Sequence, residues 1–201
     1  MTWAHSTTQD VSGILDRLER AARVRRSARK SARTLVQILA FASLASLFFF
    51  RVPQVEGRSM LPSIAGGSHV LINTLAYGAT VGPWTITRNT AERGDVIAFT
   101  RGHGDEATTY LKRVVALPGD TIAISNGKIV LNQFMIDEKS VVLSDRSFMK
   151  PLVVPIGSVF VLGDNRAESD DSRLFGPVPQ SAITGKAILV IWPLGDIKRI
   201  R

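Results

Sequence analysis

A serine hydroxyl becomes a nucleophile only when a neighbouring group can take its proton. Two segments of this 201-residue chain could supply such a pair. The first is Gly57-Arg58-Ser59-Met60-Leu61-Pro62-Ser63. A serine between arginine and methionine is, by itself, an ordinary turn hydroxyl. Gly57 lets the backbone turn tightly or a substrate approach closely, and Pro62 stiffens the chain just beyond. The second segment is Tyr110-Leu111-Lys112-Arg113-Val114-Val115-Ala116-Leu117-Pro118-Gly119-Asp120. In a strand, Tyr110, Lys112 and Val114 share one face, while Leu111, Arg113 and Val115 share the other. Lys112 then sits among apolar and aromatic neighbours, with Arg113 pointing away. Burial disfavours the ammonium and lowers a lysine pKa by up to ~3–5 units. Only the neutral amine can accept a proton from a serine hydroxyl. The plainer reading, a lysine snorkelling to water from a strand edge, stays open on this segment alone.

Histidine is the more usual base. His5, His69 and His103 are scattered, with no paired spacing and no recognisable His-based triad motif. His5 also falls on the wrong side of a membrane under the topology below. Histidines without paired spacing and a chain without cysteine exclude a disulfide framework and a thiolate zinc site. No metal and no other cofactor is expected. A third segment, Gly163-Asp164-Asn165-Arg166-Ala167-Glu168-Ser169-Asp170-Asp171-Ser172-Arg173-Leu174-Phe175-Gly176, is rich in groups that bond their own backbone. It predicts an ordered polar loop. A solvated turn or a calcium loop are the plainer alternatives. The spacing of Asp164, Asp170 and Asp171 does not match the twelve-residue helical calcium loop.

The elements that must position these groups are short strands. SHVLIN, DVIAFT, TYLKRVVAL, TIAIS, KIVLN, SVFVLGD and AILVIW alternate with turn signals, and Asn126-Gly127 predicts a hairpin between TIAIS and KIVLN. Residues 79–93 read as a loop. The expectation is an all-β domain over residues 53–201, a partly open antiparallel barrel or sandwich. A small β excursion is expected at about 121–157.

The net charge of +8 is uneven. Residues 1–34 carry eight Lys/Arg against three Asp/Glu, whereas residues 53–201 carry 16 against 14. With no interleaving of basic and aromatic residues, nucleic acid is excluded as a partner. Residues 1–33 form a basic tail in which Val11, Ile14, Leu15, Leu18, Ala21 and Ala22 mark one helical face. That helix lies on an anionic leaflet or is a solvated tail; the pattern fits both. Residues 35–50, LVQILAFASLASLFFF, carry no charge. A transmembrane anchor over 34–52 is the expectation, ahead of a cleavable signal or a buried core helix. The basic cluster lies before it, so the N-terminus is expected in the cytoplasm and residues 53–201 outside the plasma (inner) membrane.

Together the segments resemble the sequence boxes of bacterial type I signal peptidase. GRSMLPS resembles its nucleophile box, RGDVIAF its strand box, YLKRVVALPGD its general-base box and GDNRAESDDSRLFGPV its polar-loop box. They occur in the family's order, and the similarity covers most of residues 53–195. The resemblance implies a Ser/Lys-dyad endopeptidase, acting as a monomer, that cleaves signal peptides from exported preproteins after an Ala-x-Ala-like site. By position it implies Ser59 as nucleophile, Lys112 as general base and Ser169 as a group orienting the lysine amine. It implies a buried Asp171–Arg173 pair, a second pair between Asp164 and Arg113, and substrate pockets near Val55, Met60, Ile64, Tyr110 and Leu111. Some members place a serine two residues before the nucleophile to support the oxyanion; here that position is Gly57. The oxyanion hole then rests on the Ser59 N–H and a group the sequence does not name. Ser63 stands where threonine is common. A specialised Ser/Lys peptidase for particular precursors, or a membrane-tethered β-domain without catalysis, are the alternatives.

Overall fold

The computed structural model describes residues 24–44, 49–78, 80–81, 84–85, 90–102, 104, 107–136, 138 and 146–200. His5, His103 and the tail up to residue 23 lie outside the described residues. Two compact units are present, Met1–Leu47 and Phe48–Arg201. In the first, residues 24–44 are one helix, α1, with every described side chain exposed. Among the described residues no helix is long and apolar enough to cross a membrane. The expected anchor is also not helical to its end. Phe50–Arg51 is strand β1, paired antiparallel with β2 (His69–Asn73). Pro53 explains this locally, because it disfavours helical backbone at Val52 and pushes the chain toward extended structure.

The second unit is mostly β, built on an open antiparallel sheet. The strands β5 (Val96–Arg101), β6 (Thr108–Ala116), β11 (Ser158–Leu162), β12 (Val178–Pro179) and β13 (Ile183–Trp192) join β1 and β2 in the order β1-β2-β13-β5-β6-β11-β12. The short β14 (Lys198–Arg199) pairs with β13. Strand β5 shows why both faces are apolar. Its Val96 and Ala98 join Val55, Met60, Ile64, Val70 and Ile72 on one side. Ile97 and Phe99 join Val114, Val159 and Val161 on the other. A strand covered on both faces reads as a continuous apolar run, as VIAF does.

A second sheet, in the order β10-β7-β8-β9, occupies Thr121–Val153. It comprises β7 (Thr121–Ser125), β8 (Lys128–Leu131), β9 (Phe134–Met135) and β10 (Met149–Val153). Asn126 and Gly127 turn its first hairpin at φ 50° and 76°, the left-handed pair that a tight two-residue turn needs. Within residues 79–93, expected as loop, β3 (Thr80–Val81) and β4 (Trp84–Thr85) form a two-stranded ribbon.

Candidate active site

Strand β6 carries Lys112 between β5 and β11, with Ile97 opposite it on β5. The residue is only 4% exposed. Its Nζ lies 2.6 Å from Ser59 Oγ and 5.8 Å from the centre of the Tyr110 ring. Burial lowers the pKa of the Lys112 amine, against the upward pull of Asp171, Asp170 and Asp164. The serine is held by its own segment. Ile64 N–H donates to Met60 C=O, Leu61 N–H donates to Arg58 C=O, and Met60 and Ile64 anchor the turn in the core. Ser59 therefore projects from a turn whose far side is packed.

The polar loop closes over this pair from behind. Asn165 N–H donates to Ser59 C=O at 2.9 Å, and Asn165 Nδ2 donates to Arg58 C=O at 3.2 Å. The approach is so close that a Cβ on Gly163 would lie 2.5 Å from Ser59 C=O and 2.2 Å from Ser169 Oγ. Only glycine fits there. Two ion pairs brace the loop. Arg113 meets Asp164 through two bonds of 2.7 Å and donates to Gly94 C=O at 2.8 Å. Asp171 accepts from Arg173 Nε and Nη2, each at 2.9 Å, and from Gly163 N–H at 3.1 Å. Arg113 thus points away from Lys112, as alternation requires, yet it is buried too, since the loop covers that face.

A cleft of about 720 Å³ opens above Ser59 and Lys112. Val55, Met60, Tyr110, Leu111 and Ser169 line it; Ile64 does not, lying in the core next to Met60. Ser169 Oγ is buried without a hydrogen-bond partner, so the expected bond to the Lys112 amine is not formed in this structure. Gly57 has φ +79°, with open space where a Cβ would project. A serine there would have room but a strained backbone. His69 is half-buried on β2, and its Nδ1 has no hydrogen-bond partner. Among the described residues no cluster of His, Cys, Asp and Glu could hold a metal ion.

Sequence reasoning passed over three contributors. Asn165 was visible only as one turn-former among many. Arg166, nearly fully buried, donates to Gly163 C=O at 3.0 Å and to both Glu138 oxygens at 2.6 Å. Glu138 lies 28 residues away in the chain, and nothing local marks it as a partner.

A mostly β domain with an open cleft over a buried Ser–Lys contact defines a class of serine hydrolase. The family model described as signal peptidase, peptidase S26, matches residues 28–192, and the chain belongs to that family. Signal peptidase I of Bacillus caldolyticus is 38% identical over 161 residues, covering 73% of this chain and 82% of the relative. Signal peptidase IB of Staphylococcus aureus strain Mu50 is 30% identical over 162 residues, 72% of this chain and 78% of the relative. A crystal structure of a signal peptidase I from Enterococcus faecalis V583 aligns at 30% identity with 49% of this chain and 97% of that chain, with a TM-score of 0.42. The protein is a serine endopeptidase of signal-peptide processing.

Proposed function

We propose that Ser59 and Lys112 form the catalytic dyad, cleaving signal peptides after a small residue through an acyl-enzyme. The observation that carries this is the 2.6 Å contact between Ser59 Oγ and a buried lysine amine. Desolvation lowers the Lys112 pKa and so favours the neutral amine, whose lone pair receives the Ser59 proton as Oγ attacks the scissile carbonyl. The new ammonium returns a proton to the departing amine, and water then hydrolyses the ester by the same base. Ser169 Oγ, buried on the cleft wall and unpartnered, is a ready acceptor for the ammonium N–H. Val55, Met60, Tyr110 and Leu111 give the otherwise polar cleft one apolar stretch of wall, which suits the small side chains of an extended Ala-x-Ala segment.

The apolar run that begins at residue 34 and ends before β1 serves as the anchor in this reading, with the tail cytoplasmic and the β-domain outside. Support comes from the charge asymmetry around the run and from the exposure of Leu35, Val36, Ile38, Leu39 and Phe41 on α1, side chains that lipid would cover. The lipid bilayer is then a partner, and the catalytic domain works as a monomer. The test is incubation of the purified enzyme with an Ala-x-Ala precursor, followed by N-terminal sequencing of the product. Ser59→Ala, Lys112→Ala and the double variant should all be inactive to similar extents, because members of a dyad are non-additive. Substantial cleavage by Lys112→Ala would overturn the dyad.

A further inference from the structure

Attack on the scissile carbonyl leaves a negative oxygen that needs donors fixed in advance. The Ser59 N–H is the nearest donor of the nucleophile itself. It has no acceptor among the described residues, and Ser59 lines the cleft. Its direction is not its own property. The Arg58–Ser59 peptide is trans, because the only cis bonds described are Leu61-Pro62 and Trp192-Pro193. In a trans unit the carbonyl and the N–H point in opposite directions. Whatever holds the Arg58 carbonyl therefore aims the Ser59 N–H.

Two donors hold that carbonyl: Leu61 N–H at 3.1 Å, from the same turn, and Asn165 Nδ2 at 3.2 Å, from the polar loop 107 residues away. Asn165 also holds the next carbonyl, that of Ser59, through its backbone N–H at 2.9 Å. Asparagine thus grips two successive carbonyls, one on either side of the nucleophile's α-carbon. The grip is stiff because the loop is stiff. Arg166 ties Gly163 C=O to Glu138, and Arg173 donates to Arg166 C=O at 2.7 Å. Gly57 has no side chain and so adds no side-chain donor of its own.

We propose that Asn165 is a positioning residue for the oxyanion hole, its side-chain amide holding the Arg58 carbonyl and so aiming the Ser59 N–H at the developing oxyanion. This rests on Ser59 being the nucleophile. Asn165 touches no substrate atom in this scheme. Its effect belongs to the transition state, because a neutral substrate carbonyl draws little on the donor.

The test uses the full-length enzyme in detergent micelles with an Ala-x-Ala peptide. Asn165→Ala loosens the N–H without deleting it. It should cost kcat about tenfold to a hundredfold, less than the ~10²–10³ of a deleted donor. KM should stay within about twofold, the signature of an interaction made only in the transition state. A peptide boronic acid ending in alanine, which forms a tetrahedral adduct on the serine, should lose affinity in proportion to kcat/KM. The uncleaved product peptide should bind as before. Asn165→Asp keeps size and turn preference but removes the donor, and it should lose kcat in the same way if the alanine variant is too unstable to assay. Unchanged kcat in either variant, or equal weakening of boronic acid and product peptide, overturns the proposal. Cleavage by Ser59→Ala would instead remove the reading on which it rests.

Discussion

Asp171→Asn tests the brace and the base at once. The Asp171 side chain is fully buried and receives four hydrogen bonds, from Gly163 N–H, Arg173 N–H, Arg173 Nε and Arg173 Nη2. Asparagine keeps the shape but removes the charge that faces a guanidinium only 15% exposed. Removing one partner of a buried pair costs about 3–5 kcal/mol. Arg173 keeps the Arg166 carbonyl at 2.7 Å, which places the loss near ~3 kcal/mol, the lower end of that range. For a chain of this size each kcal/mol lowers Tm by roughly 2–4 °C, so a fall of about 6–12 °C is expected. Catalysis should respond separately. Burial is the main influence on the Lys112 amine and lowers its pKa; Asp171 is the foremost of the carboxylates that raise it again. With that charge gone the ammonium is less favoured, the pKa falls further, and the base stays neutral to lower pH. The acid limb of kcat/KM should therefore move down in pH, not up. Scanning calorimetry and a pH–rate profile on the same preparation check both. A melting temperature like that of the native enzyme would show the pair to be solvated. An upward or absent shift of the acid limb would refute the electrostatic link between Asp171 and Lys112.

Lys112→Met should be inactive yet more stable than the native enzyme at neutral pH. Between the lowered folded pKa and the ~10.4 of a free lysine, the unfolded state binds the extra proton, so native stability rises with pH and the advantage of methionine shrinks toward pH ~10; denaturant titrations at several pH values check this. Gly163→Ala must push Ser59 C=O or Ser169 Oγ aside. Overpacking of this kind costs about 1–3 kcal/mol, and displacing the nucleophile should cut kcat by up to ~10²-fold, measured by turnover at saturating peptide. A tag after Arg201 should be digested by protease added to intact spheroplasts; its protection until lysis would place the catalytic domain in the cytoplasm and contradict the proposed topology.

How far the chain could be read depended on how local each cause was. TYLKRVVAL, DVIAFT and SVFVLGD are strands because their own side chains make them so, and Asn126-Gly127 turns because those two residues tolerate positive φ. Strand β10 escaped notice for an equally local reason. MKPLV carries Pro151, is largely exposed, and among the described residues pairs only with β7, as an edge strand with a shifted register, the position in which proline is tolerated. The site was legible in pieces. Ser59 and Lys112 could each be suspected, but the strand pattern around Lys112 was compatible with a snorkelling lysine, and only the resemblance joined two residues 53 apart in the chain. Arg113 shows the limit most clearly. Alternation sends it to the face opposite Lys112, and that much holds. Whether that face meets water depends on a loop fifty residues further on, folding back so that Asp164 meets it. The same return brings Asn165 to the carbonyls of Arg58 and Ser59. A motif read along the chain locates the groups that react. The groups that aim them are fixed by contacts across the fold, where sequence distance carries no signal, and the polar loop is dense in hydrogen-bonding residues because it must satisfy both demands at one place.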